Sequence, residues 1–320
     1  MKYLPGIIIT IVVAIIAKLI SDIIPVGGGV FALLIGMAVN PLLKKFNFFQ
    51  TGIKFVSKQV LRIAIILLGF SLSISQIFQV GKYSLIVMCF TLLAAFGGGY
   101  LLGKLLKMNW KLSGLISAGT GICGGSAIAA IAPVIEAEDK DVAYAISATF
   151  LFDVLMIILF PLAGKFLGMS DAGYGLWTGT AVNDTASVVA AGYAFSDAAG
   201  AFSVIVKLTR TLAIIPTVIA FSFVNQRTNK INFRKIFPYF ILFFLGAVLI
   251  KSTGVIPDNV SSIITQVSKF LMIMALGAIG LKTNFKEVAL SGVKPMFHGF
   301  IISSLVVLVS LAVQLLFGQL

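Results

Sequence analysis

Ile35-Gly36-Met37-Ala38-Val39-Asn40 and Thr178-Gly179-Thr180-Ala181-Val182-Asn183 are two copies of one phrase, Gly-x-Ala-Val-Asn, each set in a membrane-grade apolar segment. With an even number of spans between them, four, the copies run in opposite directions through a bilayer. Duplication with inversion is the sequence mark of a secondary transporter whose substrate site lies at the midplane, where the repeats meet.

The composition sets the same frame. Hydrophobic residues make up 59% of the 320 and charged residues 11%, against about 25% charged in a soluble domain. The chain reads as a polytopic membrane protein without a sizeable soluble domain. Its formal charge of +13 does not point to nucleic acid, because the basic residues cluster between spans, where they set topology. Cys89 and Cys123 both fall inside spans, so no disulfide framework is implied. The first apolar stretch follows only Lys2 and lacks a small-residue cleavage site before Pro25, which reads as a retained span.

Eleven stretches approach the roughly 20 apolar residues a span needs: 5–24, 26–43, 59–78, 82–105, 111–134, 142–164, 173–196, 199–224, 236–252, 269–290 and 294–318. Basic residues then gather on one side. Lys44, Lys45, Lys54 and Lys58 lie there, as do Lys104, Lys107 and Lys111, Arg227, Lys230, Arg234 and Lys235, and finally Lys282, Lys286 and Lys294. Glu136, Glu138, Asp139 and Asp141, set against Lys140, fall on the other side in this count, with Asp197, Lys251 and Asp258. The Lys/Arg bias places the N-terminus inside and the C-terminus outside a bacterial inner membrane. Anchored on the repeated phrase, the chain divides into an extra N-terminal helix (1–25), a first five-helix repeat (26–168) and a second, inverted one (172–318).

The run Gly119-Thr120-Gly121-Ile122-Cys123-Gly124-Gly125-Ser126 carries four glycines, each weakening a helix by about 1 kcal/mol relative to alanine. Unwound backbone at membrane depth is tolerated only where it is buried in protein or lines a cavity. A half-helix starting near Gly124 or Gly125 would present free N–H groups to an anion, with Ser126 as a cap. Gly97-Gly98-Gly99 and Gly103 fit a close-packing face instead. Gly280 to Asn284 offers a matching break in the second repeat, although Lys282 equally fits the end of that span.

Intramembrane charges are costly and functional by default. Asp153, Asp184, Lys207 and Arg210 all lie near mid-span, and the i, i+3 spacing of the last two puts them on one helix face. Lys207 and Arg210, with Gly121, Cys123, Gly124, Gly125, Ser126, Asn40 and Asn183, are the candidate substrate contacts. Asp184, Asp153 and Thr185 are the candidates for coupling to Na+ or H+. The bland alternatives are internal salt bridges for the charges and interhelical hydrogen bonds for the two asparagines. Arg62 near a span end can snorkel, His298 fits an interfacial position, and Cys123 fits a small residue in a tight turn. No zinc-protease, Walker or nucleophile-elbow motif occurs, so neither an enzyme, a metal site nor a cofactor is expected.

GTGICGGSAIAA (119–130), EAEDKD (136–141), TGTAVNDTASVVAA (178–191) and VKLTRT (206–211) resemble the YeiH-like sulfate exporter family over nearly the whole chain. That family is grouped with the bile acid/arsenite/riboflavin transporter superfamily. The resemblance implies inverted five-span repeats with broken helices that cross, here the fifth and tenth spans, and by analogy a homodimer in the lipid bilayer. The expectation is an all-α carrier that moves a small anion such as sulfate, sulfite or an organic sulfonate by alternating access. A sodium or cation/proton antiporter using Asp184 is the second reading; a receptor with Cys123 as its thiol is a third class, disfavoured by the missing output domain.

Overall fold

The computed structural model describes residues 2–23, 27–43, 45–225, 237–283 and 292–319. Lys44, the Arg227–Lys235 cluster, Asn284 and Lys286 lie outside the described residues. The protein is all-helical and polytopic. In chain order the helices are α1 (Leu4–Ile23), α2 (Gly28–Leu43), α3 (Asn47–Phe55), α4 (Leu61–Leu68), α5 (Ile74–Leu93), α6 (Gly99–Leu105), α7 (Trp110–Ala118), α8 (Gly125–Ile131) and α9 (Asp139–Phe166). There follow α10 (Asp171–Ala181), α11 (Thr185–Phe195), α12 (Asp197–Thr211), α13 (Ile214–Val224), α14 (Phe240–Ser252), α15 (Asp258–Lys282) and α16 (Val293–Leu316). Among the described residues six stretches are long and apolar enough to cross a membrane: α1, α5–α6, α9, α12–α13, α15 and α16.

Two compact units form, each assembled from stretches far apart in the chain: Met1–Gln79, Val189–Ala201 and Tyr239–Phe285 in one, Val80–Val188, Phe202–Pro238 and Lys286–Leu320 in the other. In the first, α15 is the hub against which α1, α2, α3 and α4 pack. Its core joins Val13, Ala17, Ala32, Ile53, Val60, Met274 and Leu281. Here the first copy of the repeated phrase serves close packing. A Cβ on Gly36 would collide with Gly277 O, and one on Gly280 with Leu33 O, so both glycines are required by backbone-to-backbone approach. Asn40 donates from Nδ2 to Leu281 O at 2.6 Å, one of the carbonyls a helix C-terminus leaves unpaired.

At the expected break, Gly280–Asn284, α15 runs through Gly277 and Gly280 to Lys282 and ends at Thr283, whose backbone is extended; Asn284 lies outside the described residues. The glycines there are packing residues, and the helix stops where its basic last turn reaches its end.

In the second unit α16 is the strut. It meets α9, α7 and α10 and the π-helical turn Ala94–Gly98 that joins α5 to α6. Ser113 Oγ lies 3.1 Å from His298 Nε2 at the start of α16, and both touch Gly99 O. His298 is therefore buried in a hydrogen-bonded junction rather than set at an interface. The stacked rings of Phe160 and Trp177, 4.0 Å apart, pin α9 to α10, and Trp177 Nε1 donates to Val307 O at 3.2 Å.

Two segments expected to cross do not. After α7 the chain passes through a π-helical turn, Gly119–Cys123, and reverses at Gly124. It returns as α8, so that Ile128 packs on Gly119 and Lys111 Nζ reaches Glu136 O at 2.9 Å. Gly124 has φ +62° and ψ −135°, a conformation open essentially to glycine alone. Residues 110–136 thus form a re-entrant hairpin. The acidic stretch 136–141, expected opposite the basic residues 104–111, lies at the same end as Lys111, because the hairpin brings the chain back.

The second re-entrant segment starts from the other end of this unit. α10 runs antiparallel to α16, from Leu176 beside Val313 through Thr180 at Ser310 to Asn183 at Ser303. It breaks at Val182, whose backbone is extended. α12 then descends from the end at which α10 began. Its Val206 clusters with Leu176 and Val313, Arg210 reaches Gly121 and Val182, and α13 continues to Phe221 beside Gly114 and Asn225 bonded to Val134 O.

Candidate functional site

The two hairpin tips meet at mid-length of α16. A Cβ on Gly124 would lie 3.1 Å from Asp184 Cβ and Oδ1, so the turn of one hairpin rests on the turn of the other. Each tip has two halves with opposite electrostatic needs. A half-helix that ends exposes unpaired carbonyls, and one that begins exposes unpaired N–H groups.

The ending halves are held by cations. Arg210 donates from Nε to Gly121 O at 2.6 Å, from Nη1 to Val182 O at 3.1 Å, and from Nη2 to Thr120 O. Lys207 Nζ donates to Ile122 O at 2.8 Å and Val182 O at 2.9 Å. Both side chains are fully buried, and neither has a carboxylate within ion-pair distance among the described residues. The cost of burying two cations, several kcal/mol each, is offset by five charge-assisted bonds of about 1.5–3 kcal/mol apiece.

The beginning half of the second hairpin is held by carboxylates. Asp153 on α9 accepts from Asn183 N at 2.8 Å and from Asp184 N at 3.1 Å, one bond to each oxygen. Asp184 accepts from Ala186 N at 2.8 Å, acting as the N-cap of α11. Asn183 is fully buried; its Nδ2 reaches Ser303 Oγ at 3.3 Å and Thr149 O at 3.4 Å, and its Oδ1 has no partner.

What remains open is the start of α8. Gly125 is half-buried with nothing within 4 Å of a Cβ built on it, and Ser126 is exposed. Asp184 and Thr185, both half-buried, are the accessible residues of the facing tip. Gly121 and Cys123 lie fully inside the first tip.

The structure therefore brings together all the candidate residues except Asn40, which belongs to the first unit. It also changes the roles read from sequence. Lys207 and Arg210 face main-chain carbonyls, not an open cavity, and Asp153 is a cap for the second turn. Thr120, Thr149 and Ser303 complete the junction, and none of them belongs to the candidate set read from sequence. Ser303, Ser310 and Gln314, seven and eleven residues apart along an apolar helix, carried the signal: a polar stripe on one face. The break at Val182–Asp184 was also legible, as an Asn-Asp pair inside an apolar run.

A family model described as "Conserved hypothetical protein 698" matches residues 5–299. The UPF0324 membrane protein of Clostridium tetani (strain Massachusetts / E88) is 64% identical, covering 99% of this chain and 98% of that protein. The UPF0324 membrane protein FN0533 of Fusobacterium nucleatum is 42% identical, covering 98% of each. A UPF0324 membrane protein of Streptococcus pneumoniae is also 42% identical, covering 98% of this chain and 97% of its own. No solved structure matches. The YeiH-like resemblance fits this family. On full-length similarity and on the polytopic helical fold, the chain belongs to the UPF0324 family of membrane proteins.

Proposed function

We propose that this membrane protein is a secondary active transporter of a small anion, of the sulfate, sulfite or organic sulfonate class, and not an enzyme. The observation that carries the reading is the pair of re-entrant hairpins that start from opposite ends and touch at Gly124 and Asp184. A contact between two turns can be parted from either end, which is what alternating access requires. The anion would meet the N–H groups of Gly125 and Ser126 and the Ser126 hydroxyl, with Lys207 and Arg210 behind them supplying positive field rather than direct contact.

Asp184, a half-buried acid at the facing tip, favours one competing reading, a sodium or cation/proton antiporter. Arg210 cannot separate the two, because its removal strands Thr120 O and Gly121 O whatever the substrate. Ser126 can: it is exposed and outside that network. Purified protein is screened by thermal shift with sulfate, sulfite and methanesulfonate, with and without sodium, since a ligand bound only to the folded state raises the melting temperature. Stabilisation by one of these anions that vanishes in Ser126→Asp supports the anion site. Stabilisation by sodium alone, kept in Ser126→Asp, would replace this reading with the antiporter.

A further inference from the structure

We propose that Lys207 is the proton-carrying coupling group of this carrier, that Arg210 is the fixed charge beside it, and that the cycle runs without Na+. The inference rests on the transporter reading above and concerns how that transport is driven.

The argument starts from the carbonyls. In carriers with broken helices, unwound carbonyls and half-helix C-termini are where a coupling cation sits. Here those oxygens are Thr120 O, Gly121 O, Ile122 O and Val182 O, and every one of them already accepts from Lys207 or Arg210. The chain supplies its own cations at the place a sodium ion would take.

The two cations differ in one property. A guanidinium keeps its proton in proteins, whereas an ammonium in a buried site can lose one. Only Lys207 can change charge. Protonated, it bridges Ile122 O of the first hairpin and Val182 O of the second at 2.8 and 2.9 Å. Neutral, it keeps two N–H, enough for both oxygens, but both bonds lose their charge assistance, which roughly halves their strength. Arg210 still covers Val182 O, but Ile122 O then depends on a neutral amine alone. Proton loss to water therefore weakens the tie between the tips while leaving each hairpin bound to α12 through Arg210. The charged and titratable groups facing Lys207 are Arg210 on its own helix, Cys123 from the first hairpin, Asp184 from the second and Asp153 from α9.

The first test needs no anion. Hydrogen–deuterium exchange of the amides of residues 119–128 is followed between pH 6.5 and 9.5 in purified full-length protein, corrected for the intrinsic pH dependence of exchange. The wild type should lose protection as pH rises, approaching about tenfold per pH unit, the dependence of a single proton. Lys207→Arg should stay protected and flat, and Lys207→Gln, uncharged at every pH, should be unprotected and flat. A pH response in Lys207→Arg like that of the wild type would overturn the proposal, as would wild-type protection in Lys207→Gln. In liposomes, labelled sulfite and methanesulfonate should accumulate in response to a pH gradient in sodium-free buffer. Lys207→Arg should lose at least about tenfold of that accumulation. Accumulation that requires a sodium gradient would also overturn it. If the wild type moves no anion while the exchange pattern follows Lys207, the anion reading fails and the switch stands.

Discussion

Gly124 and Gly125 are neighbours of identical composition, and the structure gives substitutions at the two sites opposite signs. Gly124 has φ +62° and ψ −135°, a region whose strain for a residue with a Cβ is about 1–3 kcal/mol. The added methyl would also sit 3.1 Å from Asp184 Cβ and Oδ1 and 3.2 Å from its Cα. One of these neighbours is backbone in the opposing turn, so relief requires the tips to part. Gly124→Ala should therefore cost at least about 2 kcal/mol, from strain and crowding together. Gly125 opens α8 with nothing within 4 Å of a built Cβ. Alanine there removes glycine's backbone freedom in the unfolded chain and should be neutral or stabilise by up to about 1 kcal/mol. Equilibrium unfolding in mixed micelles, read by a tryptophan signal, would report the difference, expected at about 3 kcal/mol between the two variants. Equal stabilities within about 0.5 kcal/mol would refute the hairpin geometry on which the site depends.

Other consequences are simpler. Asp153→Asn turns one of the two accepting oxygens into a donor that faces a backbone N–H; stability should fall by about 2–3 kcal/mol, and unchanged unfolding would mean that Asp153 does not cap the second turn. The re-entrant path can be read by labelling single cysteines in a Cys89→Ser, Cys123→Ala background. Lys107→Cys and Glu138→Cys should react from the same membrane face and Asp171→Cys from the other, whereas opposite faces for 107 and 138 would restore a full crossing.

The sequence was most legible where one physical rule acts alone. Apolar length marked the helices, and the glycine density of 119–126 marked the first break, because no packing arrangement makes four glycines a sturdy helix. It was least legible where one residue type serves two ends. Gly280 and Gly124 look alike in a string, yet one permits two backbones to touch and the other reverses the chain. Only the neighbours decide: Leu33 O in the first case, a positive φ in the second. The same ambiguity held for the charges. Lys207 and Arg210 at i, i+3 are equally fit to grip an anion or a carbonyl, and nothing in their spacing tells that four carbonyls converge on them. Span counting failed at 110–136 and 171–195 for a related reason, since two short apolar half-helices joined by a break add up to the length of one crossing.

The bridge from Lys207 and Arg210 to the first hairpin also sets an order of events during synthesis. Chains emerge N-terminus first at roughly 5–20 residues per second, so the segment 110–136 leaves the ribosome seconds before either cation exists. During that interval Thr120, Gly121 and Ile122 have carbonyls and no donors, and the segment is long and apolar enough to be threaded straight across. The donors for those carbonyls arrive with α12, and Ser303 joins the junction later still, from α16. The first hairpin is thus a segment whose turn is completed by side chains made some 85–90 residues later.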